Sequence, residues 1–196
     1  MDQRLKKTVQ ITCWVFAIVL LARNLYSYVV QSQIPTVRDM LGFIEGAISV
    51  ATIFFIIYER VLWRINPFES TPKLKRKYQG SFVSSYDKKK RDAELKIKQT
   101  LFTVQIIMTT KESKSKSLSA SIDDILGEKQ LTYTYLNKPK TVFRTRSEIH
   151  YGTAMLTINK DGTLSGEYYT DRQTRGDMDF PSHRKGESIS KTRTSS

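Results

Sequence analysis

Cysteine is almost missing from this chain: Cys13 is the only one in 196 residues. That excludes a disulfide framework and a thiolate metal site. Histidine is scarce as well, and His150 and His183 are too few for a three-histidine zinc centre. There is no GxxxxGK[ST], no HExxH and no GxSxG, so P-loop, zinc-peptidase and serine-hydrolase chemistry have no support. No acid and base fall into a pattern that reads as catalytic, so no enzyme, metal or cofactor is expected. Negative charge is also in short supply, with 19 Asp and Glu against 32 Lys and Arg.

What the chain does have is two long apolar stretches, residues 8–30 and 40–58. Each is close to the ~20 residues that an α-helix needs to cross a ~30 Å hydrocarbon layer. The link between them is short and holds one proline, Pro35. Two spans so joined form an antiparallel hairpin, with both chain ends on one side. Arg4, Lys6 and Lys7 precede the first span, and Arg60 and Arg64 follow the second, whereas the link carries only Arg38 beside Asp39. Lys and Arg stay on the cytoplasmic side, so both ends are expected in the cytoplasm. The first stretch is followed by a second span and by no small-residue cleavage site, so it reads as an anchor rather than a removable signal peptide.

Two charges lie inside the spans. Arg23 and Glu45 fall at similar depth, near the outer end of the hairpin. A charge in lipid costs several kcal/mol unless it is paired or wet, so Arg23 and Glu45 are expected to pair within one hairpin or between hairpins of an assembly. Snorkelling of Arg23 to the interface is the plainer alternative. Gly42, Gly46, Ala47, Ser49 and Ala51 permit close helix contact.

The chain after the anchor is strongly basic. Residues 60–196 hold 27 Lys and Arg against 15 Asp and Glu, which leaves +12 of the total +13. Anionic lipid, nucleic acid and a phosphorylated small molecule all suit such a charge. The boundaries read as an anchor over 1–66, a proline-bearing linker over 67–72, a soluble domain over 73–181 and a disordered polar tail over 182–196. From Lys73 the apolar period becomes two, the signature of β-strands. In the opening stretch Leu74, Arg76, Tyr78, Gly80, Phe82 and Ser84 share a face. A phase slip near Gln99 and Thr100 implies a bulge or tight corner. Leu118, Ala120 and Ile122 alternate next, then Leu131, Tyr133 and Tyr135. Residues 141–146 read as a further strand, followed by one with Gly152, Ala154, Leu156 and Ile158 inward. Asn159-Lys160-Asp161-Gly162 is a hairpin turn.

About eight short strands with no amphipathic helix among them predict an all-β sandwich or closed barrel, and we favour a small up-and-down antiparallel β-barrel. Such a barrel has just enough interior for one small ligand. The inward set includes Arg76, Tyr78, Tyr133, Tyr135, Tyr168, Thr170 and Arg172. Aromatic faces stack on bases, and guanidinium forks match phosphate oxygens. The tyrosines also read as ordinary core, whereas an inward Arg needs an anion or a carboxylate.

Two stretches carry a family resemblance. Leu74-Lys75-Arg76-Lys77-Tyr78-Gln79-Gly80 looks like an L-x-G-x-[WY]-x-G strand opening, with Arg76 at the Gly position, and Tyr168-Tyr169-Thr170-Asp171-Arg172 with Gly176 forms a second match. With two spans, a linker and a small barrel, nearly the whole chain resembles the SMODS-associated two-transmembrane, β-strand-rich effectors of bacterial cyclic-oligonucleotide-based anti-phage signalling systems (CBASS). The resemblance implies a barrel that binds a cyclic di- or trinucleotide from a partner nucleotidyltransferase. It also implies a homo-oligomer that disrupts the bacterial inner membrane, so that the infected cell dies or stops growing. No DNA or RNA polymer is an expected partner. It places Arg76, Tyr78, Arg146, Tyr169, Thr170 and Arg172 near the ligand. Two other readings compete: a membrane-tethered carrier of a lipid or other apolar ligand, and a non-binding anchor protein whose basic face lies on anionic lipid.

Overall fold

The computed structural model describes residues 3–30, 34–145 and 147–182. The chain divides into two compact units, one over Met1–Thr71 with Thr100–Phe102, the other over Pro72–Gln99 with Thr103–Ser196.

The first unit is built on two helices, α1 (Gln3–Val30) and α2 (Val37–Arg60), both long and apolar enough to cross a membrane. Helix α2 starts where a capping box fixes it. The Thr36 hydroxyl accepts from the Asp39 backbone N–H, and the Asp39 carboxylate accepts from the Thr36 N–H at 2.9 Å. Asp39 in the first turn and Arg60 in the last also match the helix dipole. Ala47 and Ala51, one turn apart, are buried in this unit with Tyr58. Their small side chains let the two helices approach closely. A 3-10 turn, Leu62–Arg64, follows α2. Its Trp63 is fully buried and clusters with Tyr58 and Leu101.

The second unit is a closed barrel of eight antiparallel strands in sequence order, as the sequence predicts. The strands are β1 (Lys77–Ser84), β2 (Lys90–Gln99), β3 (Val104–Thr110) and β4 (Ser113–Ile125). β5 (Glu128–Pro139), β6 (His150–Ile158), β7 (Leu164–Thr170) and β8 (Arg175–Phe180) complete it. β8 pairs back onto β1, with Phe82 opposite Met178, so no edge is left unpaired. Alternation drives the packing. Leu95, Ile97, Ile106, Leu131, Tyr133, Leu156, Leu164 and Phe180 all point inward and are buried. They fill the barrel at mid-height. The sequence-based picture of an interior with room for a ligand therefore holds at most at an end.

Three local readings change. Residues 141–146 supply no strand within their described part: Thr141–Phe143 is a 3-10 turn, closed by Phe143 N–H donating to Lys140 O at 2.9 Å. β5 ends at Pro139, which has no N–H to continue a ladder. Leu118 faces out, because a bulge between Ser117 and Ser119 resets the phase of β4. Arg76 is exposed, since the β1 ladder starts one residue later and Leu74 is buried in the core instead. The phase slip after Gln99 is the corner between β2 and β3.

Candidate functional site

The two ends of the barrel differ chemically. At one end β1 begins and β2 finishes, with Leu74, Tyr78, Ile97 and Val104 buried. At the other, four connections meet: β1–β2, β3–β4, β5–β6 and β7–β8. There the inward side chains turn polar. Going around, they are Ser84, Ser115, Asn137, His150 and Thr170, above the rings of Tyr135 and Tyr168.

Glycine makes the space for those rings. A Cβ on Gly152 would stand 2.4 Å from the Tyr135 hydroxyl, and one on Gly176 would run first into the Val83 carbonyl of β1 and stand 2.8 Å from the Tyr168 ring. The Tyr168 ring also meets Phe82 edge-on at 5.9 Å, and the Tyr135 ring is tilted against Tyr133 at 5.8 Å. Burial pushes both phenols up, so Tyr135 and Tyr168 are neutral donors at physiological pH.

Polar groups at this mouth are held in fixed roles. The Glu148 carbonyl can only accept, so His150 Nδ1–H donates to it at 2.8 Å. His150 Nε2 then accepts from Asn137 Nδ2–H at 3.4 Å. Among the described residues that leaves Asn137 Oδ1 buried with no partner, and the Tyr133 hydroxyl below is in the same condition. Burial depresses the His150 pKa, which keeps the imidazole neutral. At the rim, Arg91 donates both Nη groups to Asp87, and this pairing holds the Asp87 carboxyl down at about 2. Across the mouth Arg172 Nη2 donates to Ser147 Oγ at 3.4 Å, and its charge is felt by both Tyr135 and His150. Two arginines thus flank a floor of tyrosine and amide groups.

The residues expected at the ligand divide between the ends. Thr170 and Arg172 meet at the mouth beside Tyr135 and Tyr168. Thr170 Oγ1 lies 2.7 Å from Thr174 Oγ1. Tyr169 has the opposite parity and points outward, 49% exposed. Arg76 and Tyr78 lie at the far end, with Tyr78 six residues from Ser84, or ~20 Å along the strand. Tyr78 is buried, and its hydroxyl accepts from the Lys75 N–H at 3.1 Å. Arg146 lies outside the described residues. Sequence reasoning missed Arg91, Asn137 and His150. Their signal was parity: Asn137 continues Tyr133 and Tyr135, and His150 precedes Gly152 and Ala154 by twos. Turn-like neighbours hid it.

A groove of about 620 Å³ crosses the outside of β1, β2 and β3, where Asp92, Glu94 and Asp179 face Lys90 and Lys111. Glu94 is already paired with Lys77 at 2.7 Å and Lys96 at 3.3 Å. Three carboxylates suit a phosphate poorly; the mouth holds carboxylates too, Asp87 bound to Arg91 and Asp171 accepting from the Tyr151 N–H at 3.1 Å, and Arg172 is the cation it offers beside them.

A closed eight-stranded barrel with an arginine-flanked polar mouth, on a chain with two membrane-length helices, defines a class of small-ligand receptors with a hydrophobic anchor. The comparisons with known proteins agree. A family model described as "Cap15, cyclic dinucleotide receptor domain" matches residues 69–182. The chain belongs to that family. It is also 28% identical over 182 residues to CD-NTase-associated protein 15 of Staphylococcus schleiferi, covering 91% of this chain and 97% of that one. The effector class recognised in the sequence is thereby borne out, and the fold belongs to a receptor family rather than to a known catalytic one.

Proposed function

We propose that the polar mouth of the barrel is where a cyclic dinucleotide binds, and that binding drives the hairpin to assemble and breach the bacterial inner membrane. The nucleotide comes from a partner nucleotidyltransferase on infection, and the breach kills or arrests the infected cell. Arg172 carries the phosphate contact in this reading, with Thr170 beside it. Guanidinium forks bind phosphate bidentately, and neutral tyrosines offer rings and O–H donors to bases. The protein acts as a receptor and not as a catalyst. Both ends of the hairpin and the barrel lie in the cytoplasm, where the ligand is made. The ligand can drive the change only by binding the assembled state more tightly than the resting one.

The observation that carries this reading is the pair of buried polar atoms without partners among the described residues, Asn137 Oδ1 and the Tyr133 hydroxyl, beneath an arginine-flanked mouth in a barrel that matches a cyclic dinucleotide receptor family. A carrier of an apolar ligand needs an apolar cavity, and the barrel is filled at mid-height by Leu95, Ile106, Leu131 and Leu156. A non-binding anchor has no use for an arginine-flanked mouth. The test is dye release from vesicles of phosphatidylethanolamine and phosphatidylglycerol carrying the full chain. One cyclic dinucleotide of a panel should release the dye, and Arg172→Ala should stop it. Binding without release would overturn the membrane step.

A further inference from the structure

Glu45 and Arg23 lie in the membrane-length helices, yet they do not meet. No ion pair among the described residues includes either of them, and both side chains are exposed. The Arg23 guanidinium stacks over the Phe43 ring at 4.9 Å, and a Cβ on Gly46 would sit 3.6 Å from Arg23 Nη1. Arg23 therefore reaches the Phe43 and Gly46 side of α2. Glu45 precedes the buried Ala47 by two residues, which places it ~200° around the helix. Its carboxylate thus faces away from α1. Gly42 and Ser49, one turn to either side, are exposed on that same face. The Ser49 hydroxyl donates to the Glu45 carbonyl at 3.0 Å, so it is not spent on the carboxylate. One edge of the hairpin thus offers a cation and another an anion, at one depth.

Resting on the membrane-assembly reading above, we infer that the Glu45 face of one hairpin docks against the Arg23 edge of a second copy of this chain, head to tail. The argument is charge complementarity at matched depth. The two groups are close along the axis, as the Gly46 and Arg23 approach requires, so parallel copies bring them level. They lie on different sides of the hairpin, so a docked copy leaves its own Glu45 free for the next. A contact between unlike patches grows into a ring or a filament rather than stopping at a dimer. Gly42 places no side chain in the way of an approaching helix. In hydrocarbon the free carboxylate has no water to turn to, so a partner cation is a strong determinant of register.

The experiment is amine cross-linking of the full chain in vesicles of phosphatidylethanolamine and phosphatidylglycerol. It uses a panel of cyclic di-AMP, cyclic di-GMP and the mixed cyclic dinucleotide, with binding read in parallel by thermal shift. Wild type should give a ladder extending beyond the dimer. Arg23→Glu and Glu45→Arg should each lose it while keeping the thermal shift. Their equimolar mixture should restore it, because the carboxylate introduced in one variant meets the guanidinium introduced in the other. The double exchange R23E/E45R should restore it alone. Single variants that cross-link like wild type would overturn the docking inference and leave the receptor intact. Loss in the single variants without restoration in the mixture would do the same. Binding with no wild-type ladder would instead overturn the assembly reading itself.

Discussion

Replacing Gly152 by alanine tests whether the mouth is built as described. Gly152 sits in β6, opposite Tyr135 of β5 on one side and Thr170 of β7 on the other. The added methyl would lie 2.4 Å from the Tyr135 hydroxyl oxygen and 2.5 Å from the ring carbon that bears it. No carbon tolerates such a contact, so the ring must swing away or the strands must part. The ring is only 4% exposed and leans on Tyr133, so it has little free space to enter. Gly152 has no left-handed backbone conformation, so the cost is packing alone. Forcing a methyl into a filled core costs ~1–3 kcal/mol. At roughly 4 °C per kcal/mol for a domain of this size, the melting temperature should fall by about 4–12 °C. Ligand affinity should fall with it, because Tyr135 forms the floor of the mouth. The assay is thermal unfolding of the full chain in detergent, followed by near-ultraviolet circular dichroism. A double-mutant cycle sharpens it: Tyr135→Ala should cost at least about 1 kcal/mol less in the Gly152→Ala background than in wild type. A variant melting within about 1 °C of wild type would refute the packing argument.

Other perturbations address the buried polar groups and the rim. Tyr133→Phe removes a hydroxyl that has no partner among the described residues, so stability should hold or rise by up to ~1–3 kcal/mol in denaturant titration; a clear loss would place a water or ligand atom on that oxygen. His150 has a depressed pKa in the fold, so the unfolded chain binds its proton first, and stability should decline as pH falls below the ordinary 6.5. His150→Gln should flatten that decline in unfolding midpoints taken from pH 7 down to 5. The Asp87 carboxyl has the same sign at lower pH. Its folded pKa of about 2 lies below the ordinary 3.8, so its contribution is complete above that value and disappears as pH falls through about 2. Asp87→Asn should therefore be less stable than wild type at neutral pH and converge with it in acid.

The sequence made the architecture legible because two periods dominate it. Two runs of span length set the helices, and alternation from Lys73 set the strands; closure into a barrel rather than a sandwich was a choice that strand count alone does not make. Leu118 was misread because a bulge is invisible to parity counting. Residues 141–143 looked like a strand because Thr, Val and Phe favour β structure, while Pro139 had already ended the ladder. The site was half legible. Thr170 ends β7 on the inward face as parity assigned it, whereas Arg172 lies exposed in the turn that follows, because the ladder stops at Thr170 and parity no longer applies. Arg76 and Tyr78 were grouped with them because parity says which face a residue takes but not which end of the barrel it occupies. Arg91 was hidden in a run of lysines that resembled a solvated loop.

In the proposed reading the ligand enters at the Arg172 end. The most direct measurement is thermal shift of the full chain in detergent against a panel of cyclic di- and trinucleotides, comparing wild type, Arg172→Ala and Arg76→Ala. A ligand that binds only the folded state raises the melting temperature. Loss of a charge-assisted hydrogen bond is worth ~1.5–3 kcal/mol, about ten- to a hundredfold in affinity. Arg172→Ala should therefore weaken the shift severely, and Arg76→Ala should leave it intact. The reverse pattern, with Arg76 required and Arg172 dispensable, would put the ligand at the other end of the barrel and contradict the account.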